Sequence, residues 1–132
     1  MSDQAESKIR VLLIDDSPTF LHAATDFLSR YEDLSIVGAA SGGEEALAQI
    51  LDLQPHVVLL DLAMPGLSGM EAIPRLRALM PRLGIVMLTM LSGNAYQQAV
   101  LEAGADGFVS KTTMYTDLLP AVRQAMQTAT LT

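Results

Sequence analysis

Five short apolar segments alternate along the chain with segments whose apolar residues recur at helical spacing. The segments predicted to be strands are 9–14, 34–39, 56–60, 85–88 and 107–110. Strands that alternate with helices in this way favour a parallel sheet with helices on both faces. Their unbroken apolar character agrees, because strands of such sheets are buried on both sides. The sequence therefore predicts a single doubly wound α/β domain with five strands and five helices.

The segments between the predicted strands carry signals of helix ends. Ser17 and Pro18 suit the N-cap and the first position of the first helix. Pro74 is expected in the first turns of the third helix, where its missing N–H costs least. The remaining expected elements are a loop at 64–69 and helices at 96–103 and 117–127. The faces expected to be buried in the first two helices are Phe20, Ala24, Phe27 and Leu28, and Ala46, Leu47, Ile50 and Leu51.

Composition limits the classes of function that the chain can have. Half of the residues are hydrophobic and 17% are charged, which argues against a disordered chain. The chain has no cysteine, so it has neither disulfides nor zinc–thiolate sites. A net charge of −7 and scattered basic residues argue against direct binding of nucleic acid, which relies on Lys and Arg.

Localisation and domain limits are also predicted from the pattern of residues. Residues 1–8 lack the apolar stretch of a signal peptide, and no apolar run reaches the length of a membrane span. We therefore expect a cytoplasmic protein that does not interact with membranes. The folded domain is expected to cover residues 8–127, with flexible tails at 1–7 and 128–132.

Polar side chains stand where the predicted strands end. Asp15 and Asp16 end the first strand, Asp61 ends the third, Thr89 ends the fourth and Lys111 follows the fifth. In a parallel sheet these ends meet at one edge, where ligands bind in such folds. Three neighbouring carboxylates repel one another unless a cation neutralises them, and Mg²⁺ prefers oxygen ligands. The sequence therefore predicts a magnesium site at this edge.

Simpler interpretations exist for the individual residues. One aspartate at a strand end often caps the next helix, but three aspartates with a hydroxyl and an ammonium favour a converging site. His22 and His56 have no ligand partner at useful spacing and are predicted to be surface or edge residues. The methionines are predicted to pack in the core and loops.

Several motifs together resemble the receiver domains of two-component response regulators. They are the segments Ile14-Asp15-Asp16, Leu59 to Gly69, Leu88-Thr89, Gly104-Ala105-Asp106 and Gly107 to Lys111. The resemblance covers residues 8–127, with the motifs in order at the ends of the predicted strands. It implies a flavodoxin-like strand order of 2-1-3-4-5.

The resemblance also implies a role for each residue of the site. Asp61 is implied to accept a phosphoryl group from a histidine kinase or phosphotransfer protein. The implied ligands of Mg²⁺ are Asp15, Asp16, Asp61 and the backbone carbonyl of Ala63. Lys111 and Thr89 are implied to contact phosphoryl oxygens, and Thr89 and Phe108 to form the conformational switch. Such a domain catalyses only its own phosphorylation and dephosphorylation.

The implied output and lifetime differ among members of this family. The segment Gly107 to Thr112 is most similar to receivers of LuxR-type helix-turn-helix regulators, so the expected output is a downstream partner or an attached DNA-binding part. The chain is expected to be a stand-alone receiver or a receiver taken from a longer regulator, and at most a weak homodimer through its first and fifth helices. Ala63 and Leu91 occupy positions that help to place the hydrolytic water in this family. Their apolar side chains, with Met90 beside them, predict a long-lived phosphorylated form.

Two other functions fit the predicted site in part. An aspartyl phosphatase or other Mg²⁺ enzyme would use the same acids, but no Asp-x-Asp-x-Thr sequence follows the first strand. A flavodoxin-like module that binds a nucleotide or flavin would need N–H groups and hydroxyls where this chain has carboxylates. Binding of beryllofluoride or of FMN distinguishes the signalling function from the flavin module.

Overall fold

A computed structural model of the chain describes residues 8–64, 66–90 and 94–131, with the side chains of 94–96 and 128–131 left out. Strands and helices alternate as predicted. The strands are β1 (Ile9–Ile14), β2 (Leu34–Ala40), β3 (Val57–Asp61), β4 (Gly84–Thr89) and β5 (Gly107–Ser110). The helices are α1 (Pro18–Leu28), α2 (Gly43–Leu53), α3 (Gly69–Leu79), α4 (Asn94–Glu102) and α5 (Met114–Leu131), with a 3₁₀ turn at Lys111–Thr113.

The five strands form one parallel sheet in the order β2-β1-β3-β4-β5, which confirms the predicted topology. In the register of the sheet, Asp61 pairs with Leu88 and Thr89 pairs with Ser110. Asp61 and Thr89 are thus the last residues of their strands, as predicted. The register brings the carboxyl ends of β3, β4 and β5 to one edge.

Helices cover both faces of the sheet and enclose two apolar cores. One core joins buried residues of α1 and α5, such as Phe27 and Val122, to one face. The other core joins α2, α3 and α4 to the opposite face, through residues such as Ile50, Ile73 and Val100. All residues of β3 and β4 are buried, which agrees with their continuous apolar sequence.

Local signals explain where α1 and α3 begin. Ser17 caps α1 as predicted, since its side chain accepts a hydrogen bond from the backbone N–H of Phe20, and Pro18 is the first helical residue. Ser68 and Glu71 form a reciprocal capping box at the start of α3. Gly69 lets this helix approach β3, because a Cβ there would lie 2.3 Å from the carbonyl oxygen of Asp61.

Three local expectations were wrong. Helix α5 begins at Met114 rather than residue 117 and extends to Leu131, because the preceding 3₁₀ turn leads directly into it. Pro74 is the sixth residue of α3, beyond the first turn, and it is exposed. Leu51 is 51% exposed, because it lies about 100° around α2 from the buried Ile50.

The expected limits of the domain stay a prediction. Residues 1–7 and 132 lie outside the described residues, and residues 128–131 continue α5. None of the helices in the described part of the chain has the length and apolar character needed to cross a membrane. The expected cytoplasmic location also stays a prediction.

Candidate functional site

The carboxyl edge of the sheet brings together the three aspartates that the sequence predicts to share a site. One carboxylate oxygen from each of Asp15, Asp16 and Asp61 lies within 4.8 Å of the others. Asp15 and Asp61 are buried, at 1% and 5% exposure, whereas Asp16 is exposed. The site is therefore an acidic pocket with a buried base and one side open to solvent.

Both carboxylate oxygens of Asp15 are occupied by donors within the protein. The backbone N–H of Ser17 donates to Oδ1 at 2.8 Å, and Lys111 Nζ donates to Oδ2 at 2.6 Å. The first contact belongs to the turn that leads from β1 into α1. The second joins β1 to the residue that follows β5, so Asp15 links the two strands across β3 and β4.

Asp61 lies between a like charge and an opposite one. Lys111 Nζ is 3.5 Å from Asp61 Oδ1, and the backbone N–H of Ala63 donates to the same carboxylate group. Burial, followed by the negative charge of Asp15, raises the pKa of Asp61 above its ordinary value, although Lys111 and Ala63 oppose this shift. The charged form of Asp61 therefore gains from any additional cation.

The chemistry of these donors fits a small divalent cation. Three carboxylates face a single ammonium group, so the cluster keeps a net negative charge. Carboxylate oxygens are the hard ligands that Mg²⁺ prefers, and the exposed position of Asp16 leaves room for the waters that this ion retains. The carbonyl of the exposed Ala63, two residues after Asp61, is available from the following loop.

Thr89 lies at the same edge of the sheet as the pocket, and Phe108 lies two residues before the end of β5. Thr89 is 1% exposed and ends β4, while Phe108 on β5 is half-buried and packs against the core formed with α2, α3 and α4.

Met90 is 67% exposed, so its side chain extends into solvent. Leu91 lies outside the described residues, and the predicted long-lived phosphorylated form stays a prediction. The peptide bond between Lys111 and Thr112 is trans.

Both histidines lie away from the pocket. His22 is exposed on α1, and His56 is half-buried before β3, where its Nδ1 accepts a hydrogen bond from the backbone N–H of Arg10. Sequence reasoning missed one residue of the site, Phe20, which packs against the core as predicted and also contacts the site. Its ring centroid is 4.3 Å from Lys111 Nζ. Helical spacing predicts which face a residue shares, and it holds no information about a partner on another element.

Comparison with known proteins decides the family. Residues 11–123 match the model of the response regulator receiver domain. The chain belongs to the response regulator receiver domain family. The response regulator GacA of Pseudomonas protegens is 35% identical over 115 residues, which cover 87% of this chain and 54% of GacA. The chain therefore spans about half the length of this curated relative.

Solved receiver domains have the same fold. The signal receiver domain of NarL from Mycobacterium tuberculosis is 30% identical, with a TM-score of 0.84 over 92% of this chain and 98% of that one. The isolated receiver domain of RcsB from Salmonella enterica serovar Typhimurium, solved with the phosphomimetic BeF3⁻, is also 30% identical, with a TM-score of 0.81 over 88% and 86% of the two chains. The receiver fold expected from the sequence is thus confirmed.

Proposed function

We propose that this receiver domain accepts a phosphoryl group on Asp61 from a sensor histidine kinase or a phosphotransfer protein. The observation that carries the proposal is the position of the Asp61 carboxylate, buried between Asp15 and Lys111 in the acidic pocket. Lys111 is the only cation near Asp61 among the described ion pairs, and it supplies one charge against three. This arrangement suits a reaction in which a phosphoryl group and a divalent cation enter together.

The transfer requires little covalent chemistry from the protein. A carboxylate oxygen of Asp61 forms a bond to phosphorus while the bond from phosphorus to the donor's imidazole nitrogen breaks, and a proton returns to that nitrogen. Lys111 would neutralise a phosphoryl oxygen from its place 3.5 Å from Asp61 Oδ1. Asp15, Asp16, Asp61 and the carbonyl of Ala63 would hold Mg²⁺, which when bound offsets negative charge on the phosphoryl oxygens.

The conformational response is proposed to pass through Thr89 and Phe108. Thr89 is buried at the end of β4, from where its hydroxyl would move to bond a phosphoryl oxygen. Phe108 lies on the neighbouring strand β5, where it pairs with Met87, two residues before Thr89, and its half-buried ring can move further into the core. The response is a shift between two packings of one fold.

The output is proposed to lie in a downstream partner or an attached DNA-binding part. The chain corresponds to about half of relatives such as GacA, and the RcsB relative has also been solved bound to the promoter rprA. With a net charge of −7, this domain is not expected to bind nucleic acid itself. A weak homodimer through α1 and α5 stays part of the proposal.

Chemical phosphorylation tests the proposal. The protein is incubated with acetyl phosphate or phosphoramidate and Mg²⁺, reduced with borohydride, and mapped by mass spectrometry. We expect one label, on Asp61, that is lost in Asp61→Asn and on removal of Mg²⁺ with EDTA. Asp52→Asn changes an exposed acid of α2 in the same way and should leave labelling intact.

The variants also separate this function from the other two. Asp16→Ala should abolish labelling that depends on Mg²⁺ and keep the fold, because it removes a ligand and relieves repulsion. Full labelling of Asp61→Asn contradicts the assignment of the acceptor. Binding of FMN in place of beryllofluoride with Mg²⁺ would favour a flavin module, and turnover of a separate phosphate ester would favour a phosphatase.

A further inference from the structure

The ammonium group of Lys111 is held by an aromatic ring as well as by carboxylates. Lys111 Nζ is 2.6 Å from Asp15 Oδ2, 3.5 Å from Asp61 Oδ1 and 4.3 Å from the ring centroid of Phe20. The side chain of Lys111 is only 11% exposed. A cation over an aromatic face is attracted by the ring quadrupole, and this attraction is stronger where water is excluded.

The ring of Phe20 is itself positioned by the residues that form the acidic pocket. Asp15 Oδ1 accepts from the backbone N–H of Ser17, and Ser17 Oγ accepts from the backbone N–H of Phe20. The Phe20 ring contacts Lys111, and Lys111 Nζ donates a hydrogen bond to Asp15 Oδ2. These four contacts form a closed path that ties the first turn of α1 to the end of β5.

We propose that Phe20 is a positioning residue for Lys111, and this inference rests on the proposed phosphorylation of Asp61. Asp15 holds the ammonium group more closely than Asp61 does, so Lys111 needs a further contact to stay near the acceptor. The ring provides that contact without a negative charge. It does not compete with a phosphoryl oxygen for the hydrogen bonds that the ammonium group donates. Loss of the ring leaves Lys111 free to follow Asp15 or to move into solvent.

The lysine content of the chain permits a direct spectroscopic test. Lys8 and Lys111 are its only lysines, so protein labelled with ¹³C-lysine gives signals from two residues alone. The ring current of Phe20 should move the Cε protons of Lys111 upfield from those of Lys8. We expect this shift to disappear in Phe20→Leu and to persist in Phe20→Tyr. Equal Lys111 shifts in the wild type and Phe20→Leu would overturn the inference.

Rates of labelling by acetyl phosphate measure the consequence for the reaction. Phe20→Leu should be labelled about three- to tenfold more slowly than the wild type at saturating Mg²⁺, and Phe20→Tyr should recover most of the rate. Trifluorophenylalanine at position 20 keeps the shape of the ring but weakens its quadrupole, so it should slow labelling as well. This replacement remains informative if Phe20→Leu does not fold.

A matched control is the other phenylalanine of α1. Phe27 is buried and contacts the rings of Tyr31 and Tyr115, so Phe27→Leu also removes a packed ring. It should lower stability but leave the Lys111 signals and the labelling rate unchanged. Equal rates for all position-20 variants would show that Phe20 only packs. Failure of the wild type to be labelled at all would refute the proposed function, while the lysine shifts would still report on Phe20.

Discussion

The two edges of the sheet differ in how their ionisable side chains are paired. At the carboxyl edge, three aspartates share the single ammonium group of Lys111. At the amino edge, the residues that immediately precede β2, β3 and β5 are also ionisable, and each of them contacts an arginine. They are Asp33 with Arg123, His56 with Arg10, and Asp106 with Arg77.

Asp106 and Arg77 form a hydrogen-bonded ion pair at the amino edge. Asp106 Oδ2 accepts from Arg77 at 2.9 Å and from the backbone N–H of Ile85 at 2.8 Å. The same guanidinium group donates to the carbonyl of Gly104 at 2.7 Å and to the carbonyl of Leu83. One arginine of α3 thereby joins the segments that lead into β4 and β5.

The pKa values of Asp33 at the amino edge and Asp61 at the carboxyl edge shift in opposite directions. The hydrogen bond from Arg123 holds the pKa of Asp33 below its ordinary value, whereas burial and Asp15 raise the pKa of Asp61. A carboxylate with a lowered pKa is stabilised by the fold, and one with a raised pKa is destabilised by it. The amino edge therefore pairs its acids Asp33 and Asp106 with arginines, and the carboxyl edge retains a repulsion that a cation can relieve.

The largest effect on stability is expected at the amino edge. Arg77→Met removes four hydrogen bonds and leaves the half-buried Asp106 without its cation, so it should lower the free energy of unfolding by about 2–4 kcal/mol. Urea denaturation measures the loss. Arg75→Met, at an exposed position of the same helix, is the control and should stay within about 0.5 kcal/mol. Equal losses in the two variants would contradict the comparison.

Two isosteric substitutions should change stability with opposite signs. Asp61→Asn removes one of the neighbouring like charges and should raise the free energy of unfolding by about 1 kcal/mol without Mg²⁺. Asp106→Asn weakens a paired site and should lower it by about 1–3 kcal/mol. Mg²⁺ at ten times its dissociation constant should add about 1.4 kcal/mol to the wild type and less to Asp61→Asn. Changes of the same sign in both variants would remove the distinction between the edges.

The sequence predicts the carboxyl edge better than the amino edge, for a geometric reason. Parallel strands must end together, so polar residues after apolar runs, such as Asp15, Asp61 and Lys111, can be assigned to one site without knowing any contact. The pairing of Arg77 with Asp106, 29 positions away, has no comparable rule. Neither does the contact of Phe20 with Lys111, which depends on how α1 sits against β5.

Local signals account for the remaining differences. The capping box of Ser68 and Glu71 has a recognisable spacing in the sequence. The prediction placed a loop at 64–69 and did not assign Ser68 as the cap of the next helix. The early start of α5 depends on the 3₁₀ turn at Lys111–Thr113, where Ser110 Oγ accepts from the backbone N–H of Thr112. A serine–threonine turn of this kind is equally compatible with a loop, so the helix boundary could not be placed from the sequence alone.

The smallest expected effect is the pH dependence of stability, which should have opposite directions at the two edges. Burial and Arg10 lower the pKa of His56 below 6.5, so its contribution is present above that pH and is lost as the pH falls below it. The pKa of Asp61 is raised above 3.8, so its penalty is present at neutral pH and fades as the pH falls toward 3.8.

Urea denaturation between pH 3.5 and 8, compared with two variants, separates these contributions. The advantage of Asp61→Asn over the wild type should shrink as the pH falls, because protonation of Asp61 removes the repulsion that the variant lacks. The wild type should lose stability relative to His56→Asn below pH 6.5, because Asn keeps an acceptor for the Arg10 N–H without titrating. The change with pH should be at most about 1 kcal/mol for Asp61→Asn and a fraction of a kcal/mol for His56→Asn, whose site is screened by solvent. As the pH falls, the stability of Asp61→Asn relative to the wild type should therefore decrease and that of His56→Asn should increase. If both relative stabilities changed in the same direction, a general effect of net charge would explain them, and the two edges would not be electrostatically distinct.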